Sequence, residues 1–187
     1  MRKLIAFCHV SLDGIASVPD GSLNWIPYNE ELEKWAEPIV KATDTAVYGR
    51  VTYELMKYWR TVSSKPDASQ HELEHARWIE NVEKIVFSKS KMVPDWNNTR
   101  VINGNAKEEI LKLKQKSGEN ITIFGSPTIA NFLIKLGLVD EYQLSISPIV
   151  LGMGKAIFKD VKETTKLKLV EEKTFKSGVV TLHYTAE

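Results

Sequence analysis

Two short stretches carry residue types suited to holding an anion. In Thr43-Asp44-Thr45-Ala46-Val47-Tyr48-Gly49-Arg50-Val51-Thr52-Tyr53-Glu54 an apolar run stops at a glycine and a helix-like segment follows. Gly49 lets the backbone come close to a ligand, and the N–H groups of Arg50, Val51 and Thr52 at a helix start favour an anion such as a phosphate. Arg50 adds a fixed positive charge. Gly125-Ser126-Pro127-Thr128 repeats the arrangement after the apolar run Ile121 to Phe124: Ser126 suits an N-cap, Pro127 the first helical position and Gly137 the residue after the helix. Between them Ser88-Lys89-Ser90-Lys91 closes the strand Val82 to Phe87, with hydroxyls and ammonium groups able to hold a phosphomonoester. Such turns at the carboxyl edge of one sheet predict a shared phosphorylated ligand.

A third stretch points to different chemistry. His71-Glu72-Leu73-Glu74-His75 matches the H-E-x-x-H pattern, in which two histidines one turn apart bind zinc and the glutamate acts as a base. Here Leu73, Ala76 and Ile79 are read as the buried face, with Leu73 about 200° from the histidine stripe at 100° per residue. The imidazoles are therefore expected to face water, and no metal is assigned. Cys8 and His9, inside the first strand, are read as a packed thiol and a hydrogen-bonded imidazole with no chemical role.

The elements that must position these groups follow from periodicity. Leu4 to Val10 is a buried strand leading into a turn-rich loop, Ser11 to Gly21. From Asn29 to Lys41 the residues Leu32, Trp35, Ala36, Ile39 and Val40 mark one helical face, with Glu31 at its edge and Glu30 and Glu33 further out. Val51 to Tyr58 continues as a helix, and Arg100 to Ile102 is a short strand. Ala106, Ile110 and Leu113 lie on a helix that stops before Gly118. After Ile129, Phe132, Leu133 and Leu136, on one more helix, come strands without intervening helices: Glu141 to Pro148, Leu167 to Phe175 and Val179 to Thr185, the last two joined across Lys176-Ser177-Gly178. Alternating strands and helices followed by antiparallel strands predict an α/β fold, a mixed, mostly parallel sheet with helices on both faces and a C-terminal hairpin.

Composition narrows the functions available. The 187 residues carry 25 basic and 24 acidic side chains, so no net field gathers nucleic acid or a membrane surface. A hydrophobic content of 43% supports a sizeable core in one domain spanning residues 1–187. Cys8 is the only cysteine, which suits a reducing compartment. The first apolar segment is too short for a signal peptide and no run approaches the ~18 residues of a membrane span, so a cytoplasmic protein is expected.

The ordered set Ser11-Leu12-Asp13-Gly14, Trp25, Gly49-Arg50-Val51-Thr52-Tyr53, Ser88, Gly125-Ser126-Pro127-Thr128 and Val139-Asp140-Glu141 through Pro148 to Leu151-Gly152-Met153-Gly154 resembles the dihydrofolate reductase superfamily. It is most similar to the reductase domain of riboflavin biosynthesis and its small stand-alone relatives, over nearly the whole chain. The resemblance implies a three-layer dihydrofolate-reductase-like fold and a homodimeric NADPH-dependent reductase, whose substrate is a pteridine-like or pyrimidine-derived small molecule. By position, Trp25 and the region from Gly14 to Ala16 would flank the nicotinamide, and Gly49, Arg50 and Thr52 would meet the phosphates. Ser88 and Lys89 would lie by the adenine ribose and its 2′-phosphate, while Gly125, Ser126, Thr128 and Ile129 would hold the pyrophosphate. Riboflavin-pathway reductases place a glutamate where Phe124 stands, so that substrate grip is missing. Dihydrofolate reductases place a carboxylate on the first helix, for which Glu31 is the candidate catalytic residue. Dihydrofolate reductase activity itself, or a non-catalytic NADP-binding module, are the alternatives.

Overall fold

The computed structural model describes residues 1–187. Its central sheet grows from the apolar runs β1 (Leu4–Ser11), β3 (Thr43–Gly49), β4 (Glu83–Phe87), β5 (Thr99–Ile102), β6 (Asn120–Phe124) and β7 (Glu141–Ser147), all mutually parallel, in the spatial order β5-β4-β3-β6-β1-β7. β10 (Val180–Ala186) adds antiparallel to β7, and β9 (Leu167–Thr174) pairs antiparallel with β10 at the edge. Continuous apolar runs are what a sheet covered on both faces requires.

Alternation along each strand sorts the side chains into two cores. On one face Leu4, Ala6, Cys8, Val47, Ile85, Ile121 and Ile123 pack against α5 (Ala106–Gln115) and α6 (Pro127–Lys135), through Ile110, Leu113, Ala130 and Leu133. On the other, Phe7, Ala46, Tyr48, Val86 and Phe124 pack against α1 (Glu30–Lys41), α2 (Arg50–Met56) and α4 (Gln70–Asn81), through Val40, Tyr53 and Ile79. The expected arrangement of helices on both faces of a mixed sheet is therefore observed.

Three details differ from the sequence-based expectation. The helix expected over Val51 to Tyr58 is α2, which starts at Arg50 and ends at Met56, and a separate single turn, α3 (Trp59–Val62), follows it, with Tyr53 facing the sheet and Trp59 turned toward α4. The strand expected over Glu141 to Pro148 ends at Ser147 and is an inner one, since β7 sits between β1 and β10. A small second sheet pairs β2 (Ile15–Ser17) with β8 (Lys155–Ala156). Gly154 permits it: its φ is +146°, and a Cβ there would stand 2.3 Å from the Ser17 carbonyl oxygen. Asp13 reinforces the same junction by accepting from the Leu151 and Gly152 N–H groups at 3.1 and 2.8 Å and from the Ser11 hydroxyl. Those donors hold its carboxyl down at about 2.

Candidate functional site

A cavity of about 970 Å³ opens over the carboxyl ends of β1, β3, β4 and β6 on the α1–α4 face, where an open α/β sheet places its ligands. One end is built from backbone turns. Gly125 and Ser126 both take left-handed conformations, with φ of 58° and 45°. In that conformation the Ser126 hydroxyl does not cap its own helix as the sequence suggests; it reaches across to β3 and accepts from the Gly49 N–H at 2.7 Å. A Cβ at Gly49 would lie 2.7 Å from this oxygen and 3.1 Å from Ile129 Cγ1, so only glycine lets the two turns close on one another. At the start of α6 Pro127 has no N–H and Ile129 donates to the Ser126 carbonyl at 2.9 Å, which leaves the Thr128 N–H at the wall lined by Thr128 and by Thr52 of the first turn of α2. Arg50 donates to the Ser90 hydroxyl at 2.7 Å, which draws the loop after β4 to the first turn and places Lys89 on the cavity lining. Lys155 on β8 lines it as well. A donor set of amides, hydroxyls and cations, with no carboxylate from these turns, fits the phosphates of a dinucleotide.

The other end is built from side chains. Phe7 and His9, two apart on β1, share the cavity face with Phe124. The Phe124 ring lies 5.5 Å from Phe7 and 5.3 Å from Trp78, centroid to centroid. Trp59 sits 4.2 Å from His75, which is 5.2 Å from Trp78, so α3 and α4 present a continuous aromatic wall. Trp78 is fixed from behind, its Nε1–H donating to the Thr43 carbonyl. The His9 imidazole is held between the Ser145 hydroxyl at 2.5 Å and the Tyr28 hydroxyl at 3.2 Å. Burial pushes both His9 and His75 down to about 4, which keeps them neutral at pH 7.

Of the residues singled out from sequence, Ala16, Gly49, Arg50, Thr52, Lys89, Gly125, Ser126, Thr128 and Ile129 all line this cavity. Gly14, Trp25, Ser88 and Glu31 do not. Gly14 closes a tight turn, its N–H on the Ser11 carbonyl, with φ +76°. Trp25 turns the other way, onto the small core of Ile26, Leu32, Phe175 and Val179, and its Nε1–H donates to Ser22. The Ser88 hydroxyl is spent on the Ser90 carbonyl at 2.9 Å. Glu31 accepts from the Lys176 N–H of the C-terminal hairpin at 3.2 Å. The carboxylates of the first helix that reach the cavity are Glu33 and Glu37, because the face toward the cavity is that of Leu32, Ala36 and Val40.

The histidine reading also needs correction. His71 and His75 line the cavity rather than face water. The inner stripe of α4 is His71, His75, Trp78 and Ile79, spaced i, i+4, i+7 and i+8, and Leu73 lies off it. That spacing was the available signal. No group of three or more His, Cys, Asp or Glu side chains comes together to hold a metal ion. His9 was missed because one strand residue carries no motif; its period-two match with Phe7 was the only clue.

Residues 2–181 match the family model for the RibD C-terminal domain. An uncharacterized protein of Bacillus subtilis, YyaP, is 36% identical over 183 residues, covering 98% of this chain and 94% of the relative. Among solved structures, a protein of Shewanella sp. PV-4 that carries a riboflavin-biosynthesis name superposes with a TM-score of 0.76 at 19% identity, covering 99% of both chains. A diaminohydroxyphosphoribosylaminopyrimidine deaminase/5-amino-6-(5-phosphoribosylamino)uracil reductase of Thermotoga maritima gives 0.67 at 15% identity, covering all of this chain and 57% of the other. A dihydrofolate reductase of Enterococcus faecalis, solved with NADP(H), gives 0.61 at 15% identity and covers 99% of this chain and 96% of its own. These structural likenesses show the dihydrofolate-reductase-like fold.

Proposed function

From the premise that the chain belongs to the RibD C-terminal domain family, we propose that it is an NADPH-dependent reductase acting on a pteridine-like or pyrimidine-derived small molecule. The observation that carries the reading is the pair of glycine turns tied by Gly49 N–H to Ser126 Oγ, with Arg50 and Lys89 beside them. When bound, the cofactor supplies the hydride. The chain's own residues do the rest. Gly49, Arg50 and Thr52 on one turn and Gly125, Ser126, Thr128 and Ile129 on the other would hold the phosphates. Arg50 and Lys89 would hold a 2′-phosphate between them. Ala16 and the β2–β8 junction would border the reacting ring, while Phe7, Phe124 and Trp59 exclude water from it. Tyr28, whose hydroxyl is fixed by His9 Nε2, offers a hydrogen bond to a polar edge of the acceptor at the otherwise apolar floor.

Calorimetric titration of NADPH and NADH tests this. Arg50→Ala and Lys89→Ala are each expected to weaken NADPH about tenfold, the low end for a charge-assisted hydrogen bond because both side chains are solvent-exposed. NADH affinity should hardly move. Equal binding of both cofactors by the wild type, or equal loss of both in the variants, would sink the NADPH assignment.

The proposal includes a homodimer formed through the C-terminal hairpin. β9 is exposed along its whole length and carries Leu167, Leu169 and Val170 on an open sheet edge, an aggregation hazard unless a second copy covers it. Light scattering is expected to give twice the 21.2 kDa chain mass, and a single-chain mass across a wide concentration range would reject the dimer.

A further inference from the structure

The side-chain-built end of the cavity has a chemistry of its own, and it differs in charge from the turn-built end. On the two helices that flank the aromatic wall the lining carries four carboxylates, Glu33 and Glu37 on α1 and Glu72 and Glu74 on α4, against two cations, Lys41 and Arg77, while Lys155 enters from β8. Lys41 is already ion-paired with Glu37. The pairing keeps Glu37 ionised, its carboxyl held below the usual range, and the Ser69 N–H does the same for Glu72. His75 does not offset this at pH 7, because burial between Trp59 and Trp78 keeps its imidazole neutral. The floor and wall are flat aromatic surfaces, with Trp59 the member at the junction of α3 and α4. Flat aromatic faces reward a planar ring by stacking and reward a cation further, while fixed carboxylates repel an anion.

Resting on the reductase reading above, we infer that the acceptor is a planar heteroaromatic compound that is uncharged or cationic and carries no phosphate or carboxylate, stacked against Trp59 and screened for charge by Glu33 and Glu37. The cavity thus sorts its two occupants by sign, the phosphorylated one to the turns and the unphosphorylated one to the aromatic wall.

The test uses the full chain, with and without NADPH, and three planar probes measured by calorimetry: a cationic aminoacridine, neutral 6-hydroxymethylpterin, and the monophosphate of that same pterin. The two uncharged-or-cationic probes are expected to bind at least tenfold tighter than the monophosphate at low salt, with the gap narrowing as salt rises. Glu33→Gln/Glu37→Gln, two changes on a half-exposed helix face, should narrow the gap between pterin and monophosphate severalfold without weakening NADPH. Trp59→Ala should weaken all three probes about tenfold. A monophosphate that binds as tightly as the neutral pterin, or a gap indifferent to the double substitution, overturns the inference. So does a failure of all three probes to bind while NADPH binds normally, an outcome that leaves the reductase reading standing. Loss of NADPH binding with charge discrimination intact would do the reverse, removing the cofactor reading and keeping the acceptor class.

Discussion

The two ends of the cavity are made of different material. The end formed by Gly49, Gly125 and Ser126 is backbone: its shape comes from two left-handed residues, one glycine without room for a Cβ, and the hydrogen bond that ties the two turns together. The end formed by Phe7, His9, Trp59, His75, Trp78 and Phe124 is side chain, assembled from β1, β6, α3 and α4. A backbone site tolerates almost no change at its glycines but is indifferent to much around them. A side-chain site tolerates exchange and so can be retuned for a different acceptor on the same frame.

The hardest blow to the backbone end is Gly49→Ala. The added Cβ meets the Ser126 hydroxyl and Ile129 at once, so the two turns must part. NADPH affinity is expected to fall by about a hundredfold, read by calorimetry, with the fold retained by circular dichroism. Gly49→Ala/Ser126→Gly removes the nearer clash and should recover part of the loss. If Gly49→Ala binds NADPH as the wild type does, the turns are not the phosphate site and the contrast between the two ends collapses.

The side-chain end should reveal itself through pH. His9 and His75 are held neutral in the folded protein down to about 4, against an ordinary value near 6.5. Below 6.5 the unfolded chain takes up protons that the folded chain refuses. Stability therefore falls as pH drops from 6.5 toward 4, by up to roughly 1.4 kcal/mol per pH unit for each histidine, and is unaffected by either above about 7. Urea denaturation at pH 7.5, 6 and 5 measures the slope, and His75→Phe should remove about half of it. A slope unchanged in His75→Phe would mean that this imidazole is hydrated.

Ser126→Gly is a gentler probe of the backbone end. It relieves a left-handed serine, roughly 1–2 kcal/mol, and removes one buried hydrogen bond of about 1 kcal/mol, so thermal stability should scarcely change. NADPH affinity should nevertheless drop severalfold, because the turns lose the link that fixes their spacing. A parallel loss of stability and affinity would show that the link only holds the fold.

The smallest effect is expected at Glu31→Gln. Its carboxylate contacts the hairpin turn at Lys176 and not the cavity, so turnover and NADPH affinity should stay within about twofold of wild type. A large loss of turnover with unchanged stability would restore Glu31 to the site and break the assignment of the first helix's cavity face to Glu33 and Glu37.

By itself the sequence determined the layers and the backbone-made end. Apolar runs, periodicity and Gly-Ser-Pro punctuation are local signals, written within a few residues of where they act, and Gly49, Arg50, Thr52, Gly125, Thr128 and Ile129 all came to one wall. Only the tertiary structure decided the other end. Which face of α4 turns inward, and so whether His75 meets water or Trp59, depends on how α3 packs against it, a contact with no local signature. Glu31 and Glu33 are two residues apart on one helix, and a rotation that periodicity cannot fix to better than a residue sends one to the hairpin and the other to the cavity. Even Ser126, read correctly as a helix start, was given its partner by the fold: a left-handed backbone aimed its hydroxyl away from its own helix and at Gly49, 77 residues back along the chain.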